Sequence, residues 1–416
     1  MVNRSGLKTL QNELYSKTEM RGSRSRAAFA GTIEVWLRQS HQNDHIMRVL
    51  MLSKACVVGA YQRKLEEMAK LPEVDLRVLV PPGWRDPDRG MLPLERAHVE
   101  GYDLRVTPLR LNGHFHLSYY PRIGRELHAF QPDIVHIDEE PYNLATWHSL
   151  WHARRCGART LFFSWQNIDR SYPWPVRLGE RWVLRHVDYA LMGTTGAAEV
   201  WRAKGYGGPL AVIPQFGVDP DLFTPPERPR QGGSFVVGFV GRLVEEKGGA
   251  LLLEALAQLD GVWQLDIIGS GPEQDALTAW ARRLGVAERV TFGTLSSVRM
   301  PGYYQGLDAL VVPSLTRGNW KEQFGRVIVE AMACGVPVIG SSSGAIPDVI
   351  GDAGLIVPEG DVHALADGLH RLMHDPDLRR RMGGQGRQRV LARYTQAQVA
   401  AQTVAVYRQM LDIARP

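Results

Sequence analysis

The stretch "GRVIVEAMACGVPVIG" (residues 325–340) places a helical apolar pattern directly before a short β-rich run. Its first eleven residues read as a helix that closes at Gly335, a residue type suited to the left-handed C′ position. "VPVIG" then has the β-branched character of a strand. The same alternation extends upstream through "SFVVGFVGRL", "QLDIIGSGP", "RVTFGTL" and "ALVVPS", each followed by a helical segment. An earlier series, "MRVLMLS", "DLRVLVPP", "DIVHID", "RTLFFSW" and "DYALMG", does likewise. Helical stretches such as "GAYQRKLEEMAKL" and "ATWHSLWHARRCG" lie between those strands. Nearly continuous apolar strands alternating with helices imply parallel sheets covered on both faces. The fold class expected is α/β: two doubly wound parallel-sheet domains with a cleft between them.

"VIPQFGVDPDLFTPPERPRQGG" (212–233) breaks the pattern with prolines and glycines, so the two series are separate halves joined by a linker. The expected organisation is a polar, disordered tail over residues 1–46, a first half over 47–215, a linker over 216–233 and a second half over 234–395. An amphipathic helix over 396–416 would cross back to the first half. A chain of 416 residues is long enough to need two cores.

The net charge of +5 is uneven, because residues 1–46 carry seven Lys/Arg against four Asp/Glu. That leaves +2 for the rest, with both signs mixed, which argues against a nucleic-acid partner. No apolar run reaches the roughly 20 residues of a membrane span. The start lacks the apolar core of a secretory signal, so the expected location is the cytoplasm. Cys56, Cys156 and Cys334 are far apart among small or apolar residues and read as reduced core residues. No Cys/His cluster has the spacing of a zinc site, so no metal is expected.

In open parallel sheets, ligands meet the loops at the carboxyl ends of strands. In "VVGFVGRLVEEKGG" (236–249), a strand ends at Gly241 and Arg242 and Lys247 flank the loop that follows. A planar fork beside a point charge suits a diphosphate; a solvated surface pair is the plain alternative. "IIGSGPE" (267–273) holds Gly269 in a second glycine-rich turn. Gln274 stands where a third glycine would complete the dinucleotide fingerprint, which argues against a nicotinamide or flavin cofactor. The helix of the opening stretch offers free N–H groups near Phe324, Gly325, Arg326 and Val327 to an anion. Glu322 lies just before this end and Glu330 about five residues inside, roughly 8 Å along the axis. Carboxylates accept from vicinal hydroxyls and repel phosphates, so the two could grip the ends of one ligand with its phosphates between them. The alternative is that Glu330 pairs with a nearby arginine and Glu322 is solvated.

These residues resemble the retaining glycosyltransferases of family four, which have the two-Rossmann GT-B architecture. The resemblance rests on "GFVGRLVEEKG", "IIGSGPE", "IPQFGVDPDLFTP" and above all the seven-residue gap between Glu322 and Glu330 in "EQFGRVIVEAMACGVPVI". It runs from about Met47 to the end and is weaker in the first half. It implies that Arg242 and Lys247 hold the diphosphate of a nucleotide-sugar, that Glu322 contacts the transferred sugar, and that Glu330 contacts the ribose. Amides of Phe324 to Val327 would meet the phosphates and sugar, and Gly293 and Thr294 would lie near the base. Gly59 would let its loop approach the donor phosphate.

Where the family segment ends in His-Glu-Pro, this chain reads Asp138-Glu139-Glu140-Pro141, with His136 two residues earlier. Asp138 and Glu139 are therefore the candidates for the polar role at the sugar, and His136 reads as a hydrogen-bonded core residue. Tyr61, Gln166, Asn167 and Arg170 are candidates for contacts with a sugar, lipid or metabolite acceptor. His114 and His116 read as surface residues. "SYPWPVRLGERWVLRH" is compatible with peripheral membrane contact at the inner face, or with an ordinary core and surface. A nucleotide-sugar epimerase and a non-catalytic sugar-nucleotide binding subunit are the rival readings.

Overall fold

A computed structural model describes residues 46–87, 90–227 and 233–412. The expected disordered tail lies outside them, apart from Ile46, as do residues 228–232 of the linker and the last four residues. Residues from Met47 onward form one unit.

The first sheet draws on β1 (Met47–Leu52) and β2 (Val74–Val80), after which β3 (Gly83–Asp86) and β4 (Gly90–Pro93) form a separate antiparallel hairpin. It continues with β5 (Asp103–Val106), β6 (Ile134–Ile137), β7 (Arg159–Ser164), β8 (Tyr189–Met192) and β9 (Leu210–Val212). The second sheet comprises β10 (Phe235–Val240), β11 (Trp263–Ile268), β12 (Val290–Gly293), β13 (Ala309–Val312), β14 (Val338–Ser341) and β15 (Leu355–Val357). Strand orders are β5-β2-β1-β6-β7-β8-β9 and β12-β11-β10-β13-β14-β15, and every pairing is parallel.

The helices of the first half are α1 (Arg63–Ala69), α2 (Ile123–Phe130), α3 (Leu144–Arg155), α4 (Trp174–His186) and α5 (Thr195–Ala203). Those that follow the linker are α6 (Gly249–Ala257), α7 (Gln274–Arg283), α8 (Met300–Gln305), α9 (Arg326–Ala333), α10 (Ile346–Ile350), α11 (Val362–His374), α12 (Pro376–Arg393) and α13 (Gln396–Asp412).

Side-chain alternation explains the four layers of core. On β1, Val49 and Met51 enter one cluster, whereas Leu50 and Leu52 enter the cluster on the opposite face. Helices α2 to α5 cover the second of these faces. The first is covered by α1 and by α13, whose Val399, Val404, Tyr407 and Met410 pack with β1 and β2. The C-terminal helix thus completes the core of the first half. Its entry is stapled to the linker: Val218 N–H donates to Tyr394 O at 2.8 Å, and the Gln396 side chain exchanges hydrogen bonds with both backbone groups of Gly217.

Five strands escaped the sequence pattern: β5, β9, β15 and the two of the hairpin. They are edge or isolated segments with partly exposed residues, so no apolar run marks them. The helical stretch at "GAYQRKLEEMAKL" begins as a 3-10 turn over Gly59–Gln62, with α1 starting at Arg63. Cys56 and Cys334 are buried as expected, but Cys156, at the C-cap of α3, is exposed. No helix among the described residues is long and apolar enough to cross a membrane.

Candidate active site

Each sheet has a switch point where the strand order reverses, between β1 and β6 and between β10 and β13. Ligands in doubly wound folds bind beyond the carboxyl ends of such strands. The sequence candidates collect at these two places.

In the second half, Lys247 Nζ donates to Glu322 Oε2 at 2.6 Å, and Ser314 Oγ donates to the same oxygen at 3.0 Å. Lys247 also lies over the Trp320 ring, 4.8 Å from its centroid. Glu322 is therefore buried and paired rather than solvated. Gly325 adopts φ +73° and caps α9, whose closing residue Gly335 is left-handed at φ +73°. The N–H groups of Phe324, Gly325, Arg326 and Val327 have no hydrogen-bond acceptor among the described residues. Four open amide donors thus sit beside a lysine.

Glu330 answers the question raised by a carboxylate inside a buried helix. Arg326, one turn earlier, meets Oε1 at 2.8 Å, and Tyr304 Oη donates to Oε2 at 2.9 Å. Burial pushes the carboxyl up from its usual range, and the Arg326 charge opposes that push. Each oxygen retains acceptor capacity, since a carboxylate offers about four lone-pair sites. The arginine-paired alternative is thus realised for Glu330, with room for a further donor. Gly269 gives its N–H to Gly293 O at 2.8 Å and faces Gly241 O so closely that a Cβ would sit 1.8 Å from it. Its role is the close approach of two loops. Thr294 follows directly on β12, whose last residue is Gly293.

In the first half, Asp138 and Glu139 follow β6 and are buried. Asp138 accepts from Ser53 Oγ at 2.5 Å and from Gln215 Nε2 at 2.9 Å. Glu139 Oε2 accepts from Lys54 Nζ at 2.6 Å and from Asn143 Nδ2 at 3.2 Å, while its Oε1 is buried without a partner among the described residues. Burial pushes both carboxyls up. Lys54 was not singled out from sequence, and nothing in "LSKAC" distinguishes it from a surface lysine. His136 is a core residue: it is fully buried, its Nδ1 lies 2.6 Å from Tyr407 Oη on α13, and burial holds its pKa well below the usual range. His114 and His116 lie exposed in a loop.

Glu140 was also passed over. Burial pushes its carboxyl up to about 7, against hydrogen bonds from Ser164 Oγ at 2.6 Å and Trp165 N–H at 2.8 Å. A carboxyl whose folded pKa lies above its unfolded value favours folding while protonated. That stability is complete below about 4.5 and is lost as pH rises through about 7. The expected loss is about 3 kcal/mol across this window. Unfolding midpoints of the protein and of Glu140→Gln, measured from pH 5 to pH 8, should diverge with rising pH, with the native chain falling more steeply. Parallel curves would refute the assignment.

Gly59, Tyr61, Asn167 and Arg170 each have partners within the protein. The Gly59 N–H is taken by Glu95 Oε2 at 2.6 Å, and a Cβ there would meet Ala97 at 2.7 Å, so this glycine accommodates the 95–97 loop. Tyr61 stacks on Phe216 at 4.1 Å and lies 5.4 Å from the Arg326 guanidinium. Asn167 donates to Glu322 O at 3.0 Å and Arg170 to Asn319 O at 2.9 Å, so both clasp the opposite half. Trp165 joins this clasp against Phe324, with ring centroids 5.8 Å apart. Gln166 donates to Ile168 O at 3.0 Å and keeps a buried Oε1 without a partner among the described residues.

Two facing Rossmann-like domains, with cations and open amides on one lip and buried carboxylates on the other, define the GT-B architecture. Residues 223–389 match the family model "Glycosyl transferases group 1", and residues 58–215 match "Glycosyl transferase 4-like domain". The chain belongs to the group 1 glycosyltransferases. It is 32% identical over 271 residues to a GDP-mannose-dependent alpha-(1-6)-phosphatidylinositol monomannoside mannosyltransferase of Mycobacterium tuberculosis, covering 60% of this chain and 69% of that protein. It is 34% identical over 220 residues to a D-inositol 3-phosphate glycosyltransferase of Mycobacteroides abscessus, covering 49% of this chain and 48% of that one. The matches thus span between about half and two thirds of these relatives' own length. Among solved structures, a Rickettsia africae glycosyltransferase superposes with TM-score 0.68 at 16% identity, over 89% of this chain and all of that one. Sucrose-phosphate synthase from Thermosynechococcus elongatus superposes with TM-score 0.66 at 23% identity, over 88% and 100%. These likenesses concern the fold.

Proposed function

We propose that this chain is a retaining glycosyltransferase that moves a hexose-type sugar from a nucleotide-diphosphate-sugar to an acceptor hydroxyl. The observation that carries this reading is the row of unsatisfied N–H groups from Phe324 to Val327 beside Lys247. Open donors at a helix start suit an anion, and a diphosphate matches a site beside Lys247, with Arg242 five residues earlier in the same loop. As the bond from sugar to diphosphate breaks, negative charge grows on the leaving phosphate. Lys247, Arg242 and the amides stabilise that charge, the part a metal ion would otherwise take, so we propose a metal-independent reaction without a separate cofactor.

Glu330, with one acceptor site left on each oxygen, takes the ribose hydroxyls. Glu322 takes a hydroxyl of the transferred sugar. The Asn167 and Arg170 clasp closes the cleft over the donor and limits hydrolysis by water. Retention then follows from attack by the acceptor on the face the leaving group vacates. The relatives' names favour a GDP-sugar donor and an inositol- or lipid-bearing acceptor, which would place the work in the cytoplasm at the inner face of a membrane.

The test is thermal shift against GDP-, UDP-, ADP- and dTDP-sugars. One nucleotide class should raise the midpoint, and Glu330→Gln should weaken that donor about 10- to 100-fold, the worth of charged hydrogen bonds to ribose. Equal donor affinity in Glu330→Gln would refute the ribose assignment. Sugar altered by the protein with donor alone and no acceptor would refute transfer in favour of epimerisation.

A further inference from the structure

Helix α4 presents a stripe of one character to solvent. Trp174 is 67% exposed and Leu178 is 55% exposed, and Arg177, Arg181 and Arg185 are exposed alongside them. At about 100° per residue these five side chains fall within about 100° of arc. The opposite face carries buried Val183 and Glu180, and Glu180 is neutralised by Lys204 Nζ at 3.0 Å. The neighbouring end of α3 repeats the theme: Trp151 is 46% exposed and Arg155 lies 4.5 Å over its ring. Arg154 joins the two helices by donating to His186 O at 2.8 Å. Apart from Glu180, α3 and α4 contain no acidic residue. Solvating a charged stripe does not require an exposed tryptophan and leucine at its head, whereas a bilayer interface accommodates both the aromatic ring and the cations.

We propose that α4, with the adjoining end of α3, docks on an anionic phospholipid bilayer. The arginines meet lipid phosphates while Trp174 and Leu178 enter the headgroup boundary. The placement also orients the molecule. Arg170, which clasps the second half, precedes Trp174 by four residues, no more than about 14 Å of extended chain. Tyr172 between them packs at a tilt against Tyr142, with ring centroids 4.6 Å apart, and meets His116 at 6.1 Å, in the loop that exposes Leu117 and Phe115. The docked face therefore ends at the rim of the cleft, and a lipid-borne acceptor would enter without leaving the membrane surface. Only this orientation rests on the proposed function; the docking does not.

The test co-sediments the full chain, without donor, with vesicles of phosphatidylcholine alone or mixed with phosphatidylglycerol. Binding is expected only to the mixture and should weaken as salt shortens the Debye length from about 10 Å to about 3 Å. Arg177→Glu with Arg181→Glu should cost at least about 30-fold in vesicle affinity, and Trp174→Ser with Leu178→Ser at least about tenfold. Both pairs are exposed, so circular dichroism and melting should match the native chain. Trp174→Phe should bind yet lose part of the quenching by brominated lipid. Failure to bind anionic vesicles, or equal binding by both double variants, overturns the proposal. So does self-association abolished by Trp174→Ser and Leu178→Ser without vesicle binding, which would make the occupant a second copy. Because no turnover is measured, a negative result leaves the transferase reading standing.

Discussion

Lys247→Ala is expected to lower kcat/KM about 10²- to 10³-fold while leaving the protein folded, an effect of about 3–4 kcal/mol on the transition state. In the proposed reaction Lys247 meets the leaving diphosphate as it gains charge, and its present partner Glu322, at 2.6 Å, holds the ammonium in place. The stability cost should be far smaller. Lys247 is 23% exposed at its side chain, so breaking the pair costs about 1–2 kcal/mol instead of the 3–5 of a fully buried one. Glu322, 9% exposed, would keep only the Ser314 hydroxyl. That residual cost should vanish when Glu322→Gln is added, because a neutral amide needs no counterion. The rate should not recover, because the charge on the diphosphate is still unopposed. Glu322→Gln also removes the contact proposed for the sugar, so the stability rescue is read from the double variant and the part of Lys247 in the chemistry from Lys247→Ala alone. Initial rates with a vesicle- or solution-borne acceptor and urea midpoints supply the two readings. Turnover within about threefold of the native enzyme would remove Lys247 from the chemistry.

The central strands were legible because parallel sheets bury both faces, so β1, β7 and β10 read as largely apolar runs. The α9 boundaries were legible for a different reason: Gly325 and Gly335 both adopt φ +73°, a geometry that few other residues tolerate. Side-chain partners across long separations were not legible. His136 meets Tyr407 from 271 residues away, and Asn167 meets Glu322 from 155. A polar residue after a strand looks the same in sequence whether it faces a ligand or the other half. That ambiguity hid the clasp made by Asn167 and Arg170. It also hid Lys54, which only the folded position of Glu139 marks as buried and paired.

The second large effect concerns the backbone that carries Lys247. Gly248→Ala is expected to cost about 4 kcal/mol or more, a fall of roughly 8 °C in melting midpoint. Gly248 sits at φ +73°, where an alanine pays about 1 kcal/mol for its Cβ. The larger share is steric, because that Cβ would lie 2.1 Å from Pro313 O, a backbone atom that cannot rotate away. Either the loop or the end of β13 must move. Gly285 isolates the two contributions. It has almost the same conformation, φ +71°, with nothing within 4 Å of an added Cβ. Gly285→Ala should therefore cost only the conformational share, about 1 kcal/mol or roughly 2 °C. The displaced groups lie at the site, since Lys247 precedes Gly248 and Ser314, which holds Glu322, follows Pro313. Gly248→Ala should thus also weaken nucleotide-sugar binding in the fraction that stays folded, while Gly285→Ala leaves it unchanged. Equal melting midpoints for the two variants would show that the loop relaxes freely, and the close approach would then have no part in aiming Lys247.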